Sequence, residues 1–252
     1  MIYLVEHFYS IQGEGRYVGT PSLFFRFGGC NMRCEGFGCV EIATDGVAVQ
    51  GCDTVYAVNK EHFSQNWVKI EKVEDLLRVL TLYELPYGVD VVLTGGEPLI
   101  YAHEPLFVAF LESLVAHGHR VTFETNATLD VDFEKFPIYR SCVFALSVKL
   151  QNSGEPLSKR VRGDTIFNLA TNAQDAFFKF SIDKDSITIA LEDEIEEILT
   201  HAPNTQVYCM PVGGCKKEVE ANTPALIEFC KMKGFNFSDR LHIRIWDDNK
   251  GV

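Results

Sequence analysis

Short apolar runs alternate with longer amphipathic stretches along most of the chain. The apolar runs are rich in β-branched or aromatic residues and end at turn residues, which is typical of strands. The predicted strands are Ser22–Phe27, Asp90–Thr94, Arg120–Glu124, Val143–Val148, Phe177–Ile182, Gln206–Met210 and Leu241–Trp246. An apolar spacing near 3.6 residues predicts helices between them. The predicted helices are Val73–Tyr83, Pro105–His117, Glu192–His201 and Thr223–Lys233.

This alternation of strands and helices predicts right-handed βαβ units and therefore a parallel sheet. About six parallel strands are too few for a closed eightfold barrel. We therefore expect an α/β fold with an open, partial (β/α) barrel. A doubly wound open sheet is the alternative, because periodicity does not determine whether a sheet curls. Since no repeat or linker stands out, we expect one domain over 1–252 with an inserted, irregular loop near 35–66. Long irregular segments of this kind usually serve function.

Composition narrows the possible classes of function. The 252 residues are 46% apolar and 23% charged, which suits a folded domain with a full core. A net charge of −12 argues against a nucleic-acid binder, which needs a basic surface. No apolar run approaches the roughly 18 residues of a membrane-spanning helix. The N-terminal segment MIYLVEHFYS lacks the basic region of a signal peptide, so we expect a cytoplasmic protein.

In a reducing cytosol, the eight cysteines indicate a metal site or redox chemistry rather than disulfides. Cys30 and Cys34 follow a predicted strand and a Gly-Gly pair, at the strand end where parallel α/β folds place their active sites. Structural zinc prefers two close cysteine or histidine pairs, whereas three soft thiolates favour an iron–sulfur cluster with one open iron. Either Cys39 or Cys52 supplies the third thiolate. The other four cysteines are interpreted as ordinary thiols: Cys142, Cys209, Cys215 and Cys230.

A second group of candidate residues lies in LTGGEPLI, residues 93–100, directly after a predicted strand. Paired glycines allow a tight turn and a close backbone approach to a ligand. Together with CNMRC, this segment resembles the radical S-adenosylmethionine enzymes, whose Gly-Gly-Glu binds the methionine amino group. The chain departs from their usual Cys-x3-Cys-x2-Cys spacing, because Phe37 stands where the third cysteine is expected.

The segment SIQGEGRYVGTPSLFFRFGGC, residues 10–30, resembles one family in particular, the 7-carboxy-7-deazaguanine synthases. Further matches follow in the same order: CDT at 52–54, LTGGEP at 93–98, ETNAT at 124–128 and SVK at 147–149. Two alternatives stay open. A glycyl-radical activating enzyme shares the Gly-Glu-Gly and Gly-Cys-Asn patterns but lacks the CDT and SxK elements. A non-catalytic zinc or iron–sulfur module is the other.

The resemblance implies a role for each matching residue. It assigns a 4Fe–4S cluster to Cys30, Cys34 and Cys52, with Cys39 an ordinary thiol inside an insertion over 35–51, and it assigns Mg²⁺ to Thr54. The residues implied for S-adenosylmethionine are Gly51, Asp53, Gly96, Glu97, Glu124, Ser147, Val148 and Lys149. Those implied for the substrate are Ile11, Gln12, Gly13, Glu14, Arg26, Thr94 and, through its carboxylate, Val252. His242 and Arg244 alternate on the last predicted strand and face either this pocket or water.

The activity implied is a carbon–nitrogen lyase reaction of queuosine and deazapurine biosynthesis. It is a radical ring contraction of 6-carboxy-5,6,7,8-tetrahydropterin to 7-carboxy-7-deazaguanine with loss of ammonia. In this family S-adenosylmethionine gives a 5′-deoxyadenosyl radical and is regenerated at each turnover. The family also implies a flavodoxin or ferredoxin as electron donor and a homodimer.

Overall fold

The computed structural model describes residues 1–249 and Gly251. Its strands, in chain order, are β1 (Ile2–Ile11), β2 (Pro21–Phe27), β3 (Cys39–Ile42), β4 (Ala48–Gly51), β5 (Val68–Ile70), β6 (Asp90–Gly95), β7 (Val121–Thr125), β8 (Cys142–Leu146), β9 (Asp175–Ile182), β10 (Gln206–Pro211) and β11 (Asn236–Phe237). Its α-helices are α1 (Val55–Val58), α2 (Lys60–Phe63), α3 (Val73–Thr81), α4 (Pro105–Ala116), α5 (Leu157–Arg160), α6 (Gly163–Asn172), α7 (Ile189–Thr200), α8 (Lys216–Lys233) and α9 (Leu241–Trp246).

Nine strands form one sheet in the order β11-β10-β9-β8-β7-β6-β2-β1-β5. From β11 to β2 every neighbouring pair is parallel, while β1 runs antiparallel to both β2 and β5. Within the described residues the strand order is linear, so the sheet is open. This confirms the predicted α/β fold with a mostly parallel sheet.

The two faces of the sheet have different surroundings because side chains alternate along each strand. On β2, Phe25 and Phe27 are fully buried in the main core, whereas Phe24 and Arg26 line a cavity. The main core receives residues from α3, α4, α6, α7 and α8. Helices on one face and a cavity on the other favour the partial barrel over a doubly wound sheet, which carries helices on both faces.

Six predicted strands and four predicted helices are present, with ends shifted by at most three residues except at α8, which begins seven residues before its predicted start. The prediction for Leu241–Trp246 was wrong, because this segment is helix α9. Its first N–H group, on Leu241, donates to the carbonyl of Gly13 (2.9 Å), which fixes the helix against the loop after β1. Six residues with apolar side chains at alternate positions do not distinguish a short helix from a strand.

The segment 35–65 has more regular structure than predicted. The β3–β4 hairpin and helices α1 and α2 fold around a small apolar cluster that includes Val49, Phe63 and Trp67. The Trp67 indole N–H donates to the carbonyl of Tyr56 (3.0 Å). The hairpin between the second and fourth of the clustered cysteines therefore packs with the residues that follow Cys52 around a small apolar core.

No helix in residues 1–249 has the length and apolar character that a membrane span requires.

Candidate active site

A cavity of about 510 Å³ lies on the face of the sheet opposite the main core, and five parallel strands contribute to it. Arg26 and Thr94 are directly paired on β2 and β6, and both face inward. Glu124 from β7, Lys179 from β9 and Met210 from β10 complete this series, and Ser147 follows β8 directly. Because parallel strands end at the same edge of a sheet, residues far apart in sequence meet here.

The cavity contains most of the residues predicted from the sequence. These lining residues form two groups. The cysteine group consists of Cys30, Cys34, Cys52, Thr54, Gly95, Gly96, Ser147 and Lys149. The ion-pair group consists of Gln12, Glu14, Asp53, Glu124, Lys179, Arg240 and His242.

The cysteine group is positioned mainly by backbone contacts. The N–H of Gly96 donates to the carbonyl of Phe27 (3.0 Å), and the N–H of Glu97 donates to the carbonyl of Gly29 (2.8 Å). A Cβ at position 96 would lie 2.1 Å from the Gly29 oxygen, and a Cβ at position 95 would lie 2.2 Å from the Phe27 oxygen. Only glycine lets the two loops approach this closely.

Cys34 has a left-handed backbone conformation, with φ of 52°, which is unusual for a residue other than glycine. Glu155 supports this conformation, since its Oε1 accepts the N–H groups of Arg33 (2.6 Å) and Cys34 (3.2 Å). Lys159 donates to the other carboxylate oxygen at 2.7 Å. Glu155 therefore fixes the loop that carries the second cysteine.

The thiols of the cysteine group lie close enough to influence one another. Burial raises the pKa of Cys30 to about 12 and that of Cys34 to about 11, and neighbouring thiols add to both shifts. Cys39 also lines the cavity, but after burial its pKa is raised chiefly by Asp53 and then by Cys52.

Among the described residues, no three His, Cys, Asp or Glu side chains converge on a point that could hold a single metal ion. A 4Fe–4S cluster does not require such convergence, because each thiolate binds a different iron. Three thiols that line one cavity without converging suit the cluster better than a structural zinc site, whose four ligands surround one ion.

The ion-pair group is positioned by side chains. Lys179 Nζ lies 3.0 Å from Glu14 Oε2 and 2.9 Å from Glu124 Oε1. Arg240 Nε donates to Glu14 Oε1 at 2.8 Å, and its Nη2 donates to Asp53 Oδ2 at 2.9 Å. The result is a continuous chain of alternating charges along the cavity.

These ion pairs keep the carboxylates ionised. Burial alone would raise the pKa of the Glu14 carboxyl, but Lys179, Arg240 and His242 together hold it well below its usual range. Burial also opposes ionisation of Glu124, and Lys179 outweighs it, so this pKa is lowered too. Burial lowers the pKa of His242, which favours the neutral imidazole.

His242 lies directly against the loop after β1. A Cβ on Gly13 would lie 2.0 Å from His242 Nδ1, so this close packing requires glycine at position 13. Arg244, in contrast, turns away from the cavity and donates to Asp239 (3.0 Å) and Thr223 (2.8 Å). Of the two residues considered together from the sequence, only His242 lines the cavity.

Three of the predicted cofactor-binding residues, Gly51, Glu97 and Val148, do not line the cavity. Glu97 is fully buried, and its carboxylate accepts from the N–H of Leu99 (3.0 Å), the hydroxyl of Thr125 (2.8 Å) and the N–H of Asn126 (2.7 Å). Burial raises the pKa of Glu97 despite these bonds. Its side chain therefore shapes the turn beneath the cavity.

The remaining predicted residues, Ile11, Gln12, Gly13, Glu14, Arg26, Thr94, Asp53, Thr54, Gly96, Glu124, Ser147 and Lys149, all line the cavity. Val252 lies outside the described residues. Lys179, Arg240 and Glu155 were not predicted. A lone lysine inside the apolar run FFKFSI was a usable signal for Lys179, whereas nothing local marks Arg240 or Glu155.

Comparisons with known proteins give the family. The family described as "4Fe-4S single cluster domain" matches residues 11–170. Two proteins named 7-carboxy-7-deazaguanine synthase are similar over 96% of the chain, that of Halobacterium salinarum at 30% identity and that of Hyperthermus butylicus at 32%. The match covers 90% and 92% of these relatives. The chain belongs to the 7-carboxy-7-deazaguanine synthase family.

A further relative and two solved structures are also similar to the chain. The synthase of Rhodopirellula baltica is 29% identical over 98% of the chain and 87% of the relative. QueE from Escherichia coli has a similar fold, with a TM-score of 0.63 at 20% identity over 96% of this chain and 94% of QueE. Streptococcus suis SuiB bound to S-adenosylmethionine matches with a TM-score of 0.52 at 12% identity, over 84% of this chain and 48% of SuiB. The synthase family predicted from the sequence is confirmed, and with it an enzyme rather than a binding module.

Proposed function

We propose that the chain converts 6-carboxy-5,6,7,8-tetrahydropterin to 7-carboxy-7-deazaguanine with loss of ammonia. The observation that carries this proposal is the shared cavity: the cysteine group and the ion-pair group line one space of about 510 Å³ in a chain of the synthase family. A radical reaction needs its cofactor and its substrate in contact, and a single cavity lined by both groups allows this contact.

We propose Cys30, Cys34 and Cys52 as the thiolates that hold the 4Fe–4S cluster. Electrostatic influence among the three supports this choice: burial and then Glu97 raise the pKa of Cys30 most, and the thiols of Cys34 and Cys52 raise it further. The Met32 N–H donates to Cys30 Sγ at 3.4 Å, and hydrogen bonds of this type tune clusters. The interpretation of Cys39 as a thiol outside the cluster remains a proposal based on the family pattern.

The residues proposed for S-adenosylmethionine are Gly96, Glu124, Ser147 and Lys149, with Asp53 beside them. When bound, the cluster and S-adenosylmethionine supply a carbon-centred radical that removes hydrogen from the substrate. Lys149 lines the cavity without an ion-pair partner among the described residues, so its ammonium suits the methionine carboxylate. Gly51, Glu97 and Val148 remain proposals whose support is the family pattern, with Glu97 acting through the turn that it holds.

The residues proposed for the pterin are Gln12, Glu14, Arg26 and Thr94, flanked by Ile11 and Gly13. The ionised Glu14 suits the N–H donors of the pterin edge. Arg26 lines the cavity, and its Nε donates to Glu6 Oε1 at 2.6 Å, which restrains the guanidinium. A restrained guanidinium is suited to the substrate carboxylate. Val252 also remains a proposal based on the family pattern.

We also propose that Thr54 provides a ligand for Mg²⁺. Thr54 lines the cavity, and among the described residues its hydroxyl has two contacts, both long at 3.4 Å, to Cys52 Sγ and to the carbonyl of Gly95. A weakly bonded hydroxyl oxygen is a suitable hard ligand for a cation that takes most of its other ligands from substrate and water. The flavodoxin or ferredoxin donor, the homodimer and the cytoplasmic location are proposals that rest on the family alone.

The experiment uses anaerobically reconstituted protein, a chemical reductant, Mg²⁺, S-adenosylmethionine and the carboxypterin. We expect 7-carboxy-7-deazaguanine in the mass spectrum, with more than one product formed per S-adenosylmethionine. A protein that has its full iron and sulfide content and binds S-adenosylmethionine, yet gives no product, would contradict the substrate assignment.

A further inference from the structure

Lys179 is a buried lysine that joins two carboxylates from different parts of the chain. Its side chain is only 6% exposed, and its ammonium lies within 3.0 Å of both Glu14 and Glu124. Glu14 follows β1, whereas Glu124 is on β7. Among the ion pairs of the described residues, no other cation contacts both carboxylates. Two carboxylates that share one buried ammonium depend on it for their charge and their orientation.

Each carboxylate belongs to a different ligand under the proposed function, on which this inference rests. Glu14 is proposed for the pterin, and Arg240 binds its second oxygen. Glu124 is proposed for S-adenosylmethionine, and the Thr94 hydroxyl donates to its second oxygen at 2.9 Å. The Gln12 amide approaches Glu124 at 3.5 Å, which places a further pterin residue beside the cofactor carboxylate. Lys179 therefore lies between the two proposed ligands.

We propose that Lys179 is a positioning residue shared by both ligand sites, holding Glu14 for the pterin and Glu124 for S-adenosylmethionine at the same time. Without the ammonium, two neighbouring buried carboxylates repel each other, and one of them takes up a proton. A protonated carboxyl loses its charge-assisted hydrogen bond to ligand donors. One substitution at position 179 then weakens both ligands.

The charged and titratable groups around the two carboxylates are Lys179 on β9, Arg240 and His242 at the C-terminal segment, and Asp53 beyond Arg240. Thr94 and Gln12 complete the polar contacts of Glu124. Arg240 binds Glu14 and Asp53 but not Glu124. It is therefore the matched control, a second cation of the same network that leaves Glu124 untouched, although it binds Asp53 beside the cofactor residues.

The test measures two dissociation constants on cluster-loaded, unreduced protein, by calorimetry with S-adenosylmethionine alone and with the carboxypterin alone. Lys179→Met is expected to weaken each ligand about tenfold or more, the loss typical of a hydrogen bond to a charged group. Arg240→Met is expected to weaken the pterin and to weaken S-adenosylmethionine less than Lys179→Met does, because Glu124 keeps its ammonium partner and only Asp53 loses a cation. Lys179→Arg restores part of both affinities.

A pH series separates positioning from general damage to the site. In Lys179→Met, the proton that one of the two carboxylates takes up leaves again as the pH rises. For both ligands, the ratio of the Lys179→Met dissociation constant to the wild-type value is therefore expected to fall with increasing pH. The double variant Lys179→Met/Glu124→Gln removes one of the unpaired carboxylates, so it serves if the single variant does not fold. In it the affinity for S-adenosylmethionine stays low at every pH.

The possible failures are distinguishable. If Lys179→Met binds S-adenosylmethionine as tightly as wild type, or if its affinities fall without any change in pH profile, the inference about Lys179 is overturned while the proposed function stands. If the wild type binds S-adenosylmethionine but not the pterin, the proposed function is overturned and the shared role of Lys179 falls with it.

Discussion

The cysteine group and the ion-pair group line the same cavity but are held in different ways. Backbone hydrogen bonds and close glycine contacts position the cysteine group, as at Gly96, whose N–H donates to the carbonyl of Phe27. Side-chain ion pairs position the other group, as at Lys179 between Glu14 and Glu124. A rigid backbone suits a cluster that must stay bound, and side-chain carboxylates and cations suit ligands that come and go.

The difference also determines how a substitution acts. A change among the backbone contacts is expected to distort the cysteine loop and release the cluster, whereas a change among the ion pairs is expected to alter ligand affinity and leave the loop intact. The four predictions below test this contrast, beginning with the largest effect.

Replacement of Cys52 by alanine is expected to abolish cluster binding and to reduce product formation to background, because one of three thiolates is lost. Iron and acid-labile sulfide content, with the visible absorbance of the cluster, provide the measurement. Cys39→Ala is the matched control, since Cys39 lines the same cavity. Loss of the cluster in Cys39→Ala but not in Cys52→Ala would reverse the choice of third ligand.

Alanine at position 96 should reduce the free energy of unfolding by about 1–3 kcal/mol and impair cluster retention. The reason is overpacking, because the new Cβ would meet the Gly29 oxygen at 2.1 Å. Urea unfolding of the cluster-free protein and iron content after reconstitution measure the two effects.

Gly214→Ala is the control for this substitution, because its Cβ would find nothing closer than 3.9 Å, at Glu218. Its free energy of unfolding should stay within about 0.5 kcal/mol of wild type. Equal losses in the two variants would show that the close approach at Gly96 is not what holds the loop.

Glu155→Ala should accelerate loss of the cluster to a chelator by about tenfold, the scale at which groups outside the ligand set affect metal sites. Its carboxylate accepts the N–H of Cys34, whose left-handed backbone conformation would otherwise be unsupported. Glu155→Gln keeps an acceptor oxygen and should lose the cluster more slowly than the alanine variant. Identical rates in wild type and Glu155→Ala would exclude this supporting role.

The smallest effect is a difference in the pH dependence of stability between Glu97 and Glu14. Because the folded pKa of Glu97 is raised above 4.5, its stabilising contribution is complete below that pH and is lost as the pH rises. The folded pKa of Glu14 is lowered, so its contribution is complete above 4.5 and is lost as the pH falls.

The measurement compares urea-unfolding free energies of wild type, Glu97→Gln and Glu14→Gln across pH. The wild type should lose stability relative to Glu97→Gln as the pH rises from 4.5 toward neutrality, and should gain stability relative to Glu14→Gln as the pH rises toward 4.5. Parallel curves for the two pairs would contradict the opposite environments of these carboxylates.

The same contrast explains which parts of the site could be predicted from sequence. The cysteine loop and the Gly-Gly-Glu turn are each a short, continuous stretch of sequence that follows a clearly patterned strand. Their positions at one edge of the sheet could therefore be inferred. Inward-facing Arg26 and Thr94 follow from strand alternation once the strands are assigned. The family resemblance added their proposed roles.

The ion-pair group was only partly predictable, because it depends on contacts between distant segments. Arg240 reaches Glu14 across 226 positions and Asp53 across 187, and no local pattern encodes such pairs. The wrong strand assignment for Leu241–Trp246 has the same origin, since a tertiary hydrogen bond to Gly13 fixes that short helix. Glu97 was expected to face the ligand, yet three local donors hold its carboxylate inside the turn.

The β3–β4 hairpin has a consequence for the irregular cysteine spacing. Cys39 is paired with Gly51 at the open end of the hairpin, so the chain leaves the site and returns to it at nearly the same place. Adding or deleting one residue from each strand would lengthen or shorten the hairpin at its Asp45–Gly46 tip without displacing Cys52. The count of residues between Cys34 and Cys52 is thus decoupled from cluster geometry. A search pattern that requires a fixed interval would overlook proteins built in this way, and the exposed tip offers a position for inserting a spectroscopic label or an affinity tag.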